Sequence, residues 1–241
     1  MTFYLIGLGL NKEGISREGL ELLARCKKIY LETYTVDFPY NQIELEEVLG
    51  KKVIPADREK VEGLTLIDEA SKMHVALLVY GSPLTATTHI TLIDEAKKTG
   101  IKYEIIYGAS VFEGVLASGL QFYKFGKVAS MPAWKKSFEP KSFMDILKQN
   151  KSIEAHSLIL VDIGLNFIDA LNQLKIAAKE VDFKLDKIVL CQTMGTKTAK
   201  IFYGPVSYFE KFDSVRKPYC IILPGKLHFT EEEFLKNFER Q

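Results

Sequence analysis

The chain has 241 residues, 47% apolar and 26% charged, a balance that suits a soluble globular protein and excludes a collagen, a coiled coil or a largely disordered chain. Thirty-two Lys and Arg against 31 Asp and Glu leave a formal net charge of +1, so no global field draws the molecule to nucleic acid or to an anionic membrane. Cys26, Cys191 and Cys220 are odd in number and lack metal-ligand spacing, the pattern of reduced thiols in a cytoplasmic protein rather than of a disulfide framework.

Short apolar runs alternate with helical patterns, which predicts an α/β protein with a mostly parallel first sheet. The run Phe3 to Leu10 is too short to cross a bilayer and has no basic segment before it, so it is expected to be a buried strand, neither signal peptide nor anchor. Ser16 is placed to cap a helix with Leu20, Leu23 and Ala24 on its inner face, followed by a strand over Lys28 to Glu32. A Pro-containing stretch, Thr35 to Asn41, leads to a short helix before Gly50, a strand at Val53-Ile54 and a helix carrying Leu66, Ile67 and Ala70. Val75 to Tyr80 reads as a strand buried on both faces, running directly into Gly81-Ser82-Pro83. A helix with Leu92, Ile93 and Ala96 stops at Gly100, the strand Tyr103 to Tyr107 follows, and Gly108 is a natural boundary.

Ser110 and Glu113 have capping-box spacing and open a connector helix ending near Gly119. Beyond it, strands near Val128 to Met131, Ser157 to Ile163, Lys187 to Cys191, Ile201 to Tyr203 and Tyr219 to Leu223, two long helices and a tight Gly195-Thr196 turn predict a mixed or antiparallel sheet. Thr230 and Glu233 repeat the capping-box spacing before a last helix.

Ligands of an open α/β sheet gather outside the carboxyl ends of its strands, so the loops there are the places to search for chemistry. Gly7-Leu8-Gly9 follows a strand, but the third glycine of a dinucleotide fingerprint is replaced by Lys12, and no P-loop sequence occurs. A sharp strand exit that needs missing β-carbons explains these glycines equally well. The segment Gly81 to His89 sets a rigid turn and three threonines behind a strand; it either presents hydroxyls to a small polar ligand or starts a helix that Thr87 or Thr88 caps. His74, His89, His156 and His228 lack metal-like spacing and read as structural or exposed, and no nucleophile elbow is present. Asp162, at a strand end, either binds a cationic ligand or caps a loop; Trp134 with Lys135 and Lys136 is either a recognition patch or a solvated basic loop.

Five stretches taken together, Tyr4 to Leu10, Leu31 to Thr35, Gly81 to His89, Tyr123 to Gly126 and Pro224 to His228, resemble the diphthine synthase family of tetrapyrrole-methylase-like methyltransferases, in the same order along the chain. The resemblance implies two α/β domains, here residues 1–108 with a mostly parallel sheet and 109–241 with a mixed one, with S-adenosyl-L-methionine in the cleft between them and S-adenosyl-L-homocysteine as product. It implies methylation of the amino group of a histidine already carrying an aminocarboxypropyl substituent on translation elongation factor 2. A cytoplasmic homodimer is implied too, with no membrane and no direct nucleic-acid partner. Carried over residue by residue, cofactor contacts fall on Leu10, Ser82, Thr85, Ser110, Val111, Val161, Met194 and Tyr219.

Two positions depart from the family pattern. Ser82 stands where an acid is usual, removing a charge that would face the cofactor's cationic end, and Asp162 is the carboxylate that would compensate. Tyr219 stands where some relatives have His. Displacement at a sulfonium methyl by an amine whose pKa is near 8 requires alignment and dryness more than a dedicated base, so no catalytic residue is assigned. Tyr34 either lines the acceptor side or packs in the core. The rival readings are a methyltransferase of the same fold acting on a corrinoid, a tetrapyrrole or RNA, and a catalytically silent cofactor-binding relative.

Overall fold

In the computed structural model, which describes residues 1–239, the apolar runs become strands and the amphipathic stretches become the helices that cover them. The chain divides into two compact units, Met1–Gly114 and the part from Val115 onward. The first unit comprises β1 (Thr2–Gly7), α1 (Arg17–Leu23), β2 (Lys28–Glu32), α2 (Gln42–Leu49), β3 (Ile54–Ala56), α3 (Arg58–Glu62), α4 (Thr65–Ala70), β4 (Val75–Val79), α5 (Ile90–Lys98), β5 (Lys102–Ile106) and the start of α6 (Val111–Val115). Its sheet is parallel throughout, in the order β3-β2-β4-β1-β5.

β1 and β4 are buried along their whole length, and successive side chains feed opposite faces. Phe3, Leu5, Val75 and Leu77 pack with residues of α3, α4 and α5; Tyr4, Ile6, Ala76 and Leu78 pack with residues of α1 and α2. Each such large side chain contributes about 1.5–3 kcal/mol of burial, which is why these strands read as continuous apolar runs. Ser16 caps α1 as its position predicts, its Oγ accepting from the Gly19 N–H at 3.0 Å. The inner face of that helix, however, is Gly19, Leu22 and Leu23, while Leu20 and Ala24 are exposed. Gly19 causes the rotation: a Cβ there would fall 2.9 Å from the Ile15 side chain and 3.2 Å from that of Ile6, so its bare backbone is what nestles against β1.

The second unit carries β6 (Ala129–Met131), α7 (Phe143–Ser152), β7 (Ser157–Val161), α8 (Phe167–Glu180), β8 (Lys187–Gln192), β9 (Lys200–Pro205), α9 (Val206–Phe209), β10 (Tyr219–Leu223) and α10 (Phe229–Leu235). The sheet order is β6-β7-β10-β8-β9; β6 and β7 run parallel and the other pairs antiparallel, the mixed sheet that the sequence predicts. Phe143 and Leu147 of α7, Leu171 and Leu174 of α8, and Phe209 form its core with Ile159, Leu190 and Ile221. Cys191 and Cys220 face each other across β8 and β10 as free, buried thiols. No helix among the described residues is long and apolar enough to cross a membrane.

The last helix is not capped at Thr230. His228 takes that place, its ring Nδ1 accepting from the Thr230 N–H, while the Glu231 carboxylate accepts from the His228 N–H at 2.7 Å. Glu231 is fully buried and also accepts from the Gln121 N–H at 2.8 Å, from Lys124 and from His156 Nε2 at 3.0 Å. His156 Nδ1 accepts from the Gly225 N–H at 2.8 Å, which fixes the proton of the neutral ring on Nε2, facing Glu231. One carboxylate thereby ties α10, the Gln121–Lys124 segment and the start of β7.

Burial opposes the charge on Glu231, yet the hydrogen bonds from His228, Lys124, Gln121 and His156 prevail and hold its carboxyl at about 2. Burial likewise pushes His156 below the usual imidazole value, with Glu231 partly offsetting it. Unfolded, these groups protonate near 6.5 and 4.5, so in acid the unfolded chain binds more protons than the folded one. Stability is therefore expected to be full near neutral pH, to fall as the pH drops through about 6.5, and to fall further below 4.5 toward 2. Glu231→Gln, which leaves Lys124 and His156 without their anion, is expected to cost ~3 kcal/mol and to flatten the lower limb of a chemical-denaturation profile against pH.

Candidate functional site

β1 and β4 are neighbours, but their outgoing connections part: β1 continues through α1 on one face of the sheet, β4 through α5 on the other. Such a divergence opens a crevice beyond the carboxyl ends of the two strands. Three loops meet there. Gly9 and Gly81 exchange main-chain hydrogen bonds, at 3.1 and 2.9 Å, joining the loop after β1 to the loop after β4. Both glycines have left-handed φ, at 69° and 74°, where a side chain would be strained.

The loop after β5 closes on the other two. A Cβ on Gly108 would lie 2.7 Å from the Gly9 nitrogen and 2.7 Å from the Gly81 oxygen, and one on Gly7 would lie 2.6 Å from that same oxygen. The glycines therefore serve close backbone approach, as the strand-exit reading of Gly7 and Gly9 holds, while also setting main-chain groups of Leu10, Ser82 and Ser110 around one crevice. Leu10 is buried, and its carbonyl is held by the Tyr80 hydroxyl at 3.0 Å. Burial raises the Tyr80 phenol, which keeps it a neutral donor. The hydroxyls of Ser82 and Thr85, both half-buried, pair with no other described residue.

Ser110 and Glu113 form the predicted reciprocal cap. The Glu113 carboxylate accepts from both the N–H and the hydroxyl of Ser110 at 2.6 Å, and the Ser110 oxygen accepts from the Phe112 N–H at 3.2 Å. Burial opposes the Glu113 charge, but these bonds outweigh it and keep the carboxyl below its usual range. Ser110 is thus fixed in place with its hydroxyl proton already given, and the neighbouring half-buried Val111 begins α6.

The three other candidate residues gather at one end of the interior strands of the second sheet. Val161 ends β7, Met194 lies just beyond β8, and Tyr219 opens β10 between those strands, in register with Gln192. The Thr193 N–H donates to the Pro218 carbonyl at 2.7 Å, drawing the Met194 loop to the start of β10. The Tyr219 hydroxyl donates to the Leu165 carbonyl at 3.2 Å and its ring meets Phe167 edge-on.

Asp162 caps a loop, accepting from the Ala133 N–H at 3.2 Å and the Ile163 N–H at 3.0 Å. Trp134 is half-buried packing, its indole donating to the Pro140 carbonyl at 3.1 Å, beside exposed Lys135 and Lys136. Neither Thr87 nor Thr88 caps α5; the Thr87 hydroxyl donates back to the Pro83 carbonyl at 3.1 Å and closes the loop on itself. Sequence reasoning missed Tyr80, whose one signal is its position immediately before Gly81, and Gly108, which reads only as a boundary.

The sequence profile of the Tetrapyrrole (Corrin/Porphyrin) Methylases matches residues 2–209 of this chain. The chain belongs to this family. Within it, the diphthine synthase of Methanocaldococcus jannaschii is 36% identical, with 96% of each chain covered. The diphthine methyl ester synthase of Schizosaccharomyces pombe is 43% identical over 67% of this chain and 58% of its own length. A crystal structure of diphthine synthase superposes with a TM-score of 0.90 at 30% identity, covering 99% of this chain and 96% of the other. The tetrapyrrole methylases are methyltransferases, and beyond β1, β4 and β5 this member sets the unpaired hydroxyls of Ser82 and Thr85 beside the packed main chain of Gly9, Gly81 and Gly108.

If close backbone approach organises that crevice, Gly108→Ala cannot be accommodated without moving a neighbouring loop. An overpacking cost of about 1–3 kcal/mol is expected, read as a lowered melting temperature. A melting curve matching the unaltered protein would contradict the convergence described here.

Proposed function

We propose that the chain is an S-adenosyl-L-methionine-dependent methyltransferase of diphthamide biosynthesis, methylating the amino group of the modified histidine of translation elongation factor 2. The observation that carries this reading is the three-loop crevice of a tetrapyrrole methylase fold, in a chain alignable with diphthine synthase over nearly its whole length. Loops packed main chain against main chain at the strand ends suit a nucleoside-bearing ligand held through peptide groups.

When bound, the cofactor supplies an electrophilic methyl on a sulfonium centre. The chain's own residues bind and orient. Main-chain groups at Leu10 and Val111, the free hydroxyls of Ser82 and Thr85, and the fixed Ser110 would hold it. Tyr80 acts through Leu10 by fixing the direction of its carbonyl. Good alignment is worth up to ~7–11 kcal/mol of barrier, so positioning can carry most of the rate.

Ser82 leaves the cationic end of the cofactor without the carboxylate usual in the family, and Asp162 is engaged in loop capping. Calorimetry with S-adenosyl-L-methionine and S-adenosyl-L-homocysteine is expected to show binding of both. Ser82→Asp is expected to tighten the sulfonium form about tenfold and the neutral product little, since a charge-assisted hydrogen bond is roughly twice as strong as a neutral one. No binding at millimolar concentration would contradict the enzymatic reading; binding without methyl transfer to the modified factor would favour a silent relative.

A further inference from the structure

Three buried polar atoms have no partner among the described residues, the hydroxyls of Tyr34 and Tyr40 and Nε2 of His89, and those of Tyr34 and His89 stand on neighbouring rings. Leaving such an atom unsatisfied costs about 1–3 kcal/mol, so each calls for a hydrogen-bonding group from outside the protein. Those of Tyr34 and His89 belong together. Tyr34 follows β2 and His89 ends the loop after β4, adjacent strands of the parallel sheet, and their rings meet edge-on with centroids 6.4 Å apart.

The state of each atom is fixed by its surroundings. His89 is 1% exposed, and its Nδ1 lies 3.0 Å from the Pro83 carbonyl. A carbonyl only accepts, so the proton of the neutral ring sits on Nδ1, and Nε2 presents a bare lone pair. The Pro83 carbonyl is in turn bound by Thr87, so the imidazole is anchored in the loop that also carries Ser82 and Thr85. Burial first, with the nearby carboxylates of Glu32 and Glu62, pushes the Tyr34 phenol up to about 12, so it stays a neutral donor. The Arg58 guanidinium lies over its ring at 5.1 Å and pairs with Glu62, while Glu32 accepts from the Tyr34 N–H and from Thr35. These are the charged groups around the pair: Glu32 from β2, Arg58 and Glu62 from α3.

A lone-pair acceptor beside a phenolic donor matches a group with an amine at one end and a carboxylate at the other, and Glu32 and Glu62 against the single Arg58 favour the amine's positive charge. We propose that His89 and Tyr34 form the acceptor subsite, with His89 Nε2 receiving the proton of the acceptor's amino group and the Tyr34 hydroxyl donating to its carboxylate. This deepens the proposed function and rests on it. An ammonium N–H gives its proton to Nε2. The freed nitrogen lone pair then forms an N–C bond to the sulfonium methyl as the C–S bond breaks, its electron pair going to sulfur. The proton on Nε2 passes to water before the next transfer.

His89→Asn tests this, because the Asn amide can keep the hydrogen bond to the Pro83 carbonyl while Nε2 is lost. The acceptor is elongation factor 2 carrying the aminocarboxypropyl histidine. At pH 7 the variant is expected to lose at least thirtyfold in kcat/KM, with S-adenosyl-L-homocysteine affinity within twofold of the unaltered protein. At pH 9.5, above the α-amine pKa of about 8, the deficit is expected to shrink to a few-fold, because the amine no longer needs a base. Tyr34→Phe is expected to raise KM several-fold equally at both pH values. In the unaltered protein, the Nε2 resonance of ¹⁵N-labelled His89 is expected to shift on adding the acceptor without donor.

A His89→Asn deficit equal at both pH values, or an Nε2 resonance indifferent to the acceptor, would overturn the proposal and leave the pair bridged by a structural water. An unaltered protein that binds no donor or moves no methyl would instead remove the proposed function, and this proposal with it.

Discussion

The approach of three backbone loops to within van der Waals distance is the constraint on which the first unit depends. Gly9 and Gly81 can exchange hydrogen bonds because both adopt left-handed φ, and Gly7 and Gly108 can lie against them because neither carries a β-carbon. The resulting crevice opens where the connections from β1 and β4 part to opposite faces, so the fold and the candidate site share one cause. Tyr80 and the Ser110–Glu113 cap then stiffen two of its walls from behind, through the Leu10 carbonyl and the start of α6.

The loop after β4 carries the neutral Ser82, and in the second unit Asp162 accepts from two main-chain N–H groups. Hydroxyls and peptide dipoles thus carry the polarity of the crevice. Carboxylates nearby work as structural acceptors: Glu32 orders the turn after β2, and Glu113 fixes Ser110. The stability of the second unit hangs on a separate carboxylate, Glu231, so the acid sensitivity of its fold is set apart from the chemistry of the loops.

Much of this was legible in sequence, for physical reasons. β1 and β4 lie under helices on both faces, and burial on two sides turns a strand into an unbroken apolar run. The caps at Ser16 and Ser110 are local, set by residues three apart. What failed was set by tertiary contact. The inner face of α1 turned on the fit of Gly19 to Ile6, and the Thr230–Glu233 spacing yielded to His228 because Glu231 is claimed by partners as distant as Gln121 and His156. The site shows the same division: the candidate loops could be named from strand ends and resemblance, whereas a lone histidine gives no sign that its Nε2 will be buried without a partner.

The central claim, that a sulfonium donor is gripped by loops at the carboxyl ends of β1, β4 and β5, is tested most directly by amide hydrogen exchange with and without S-adenosyl-L-methionine. Slowed exchange is expected in three separate segments of the first unit, around Leu10, Gly81 to Thr85 and Ser110 to Val111. Saturating donor that leaves all three unchanged, or that protects only helix surfaces away from these strand ends, would contradict it.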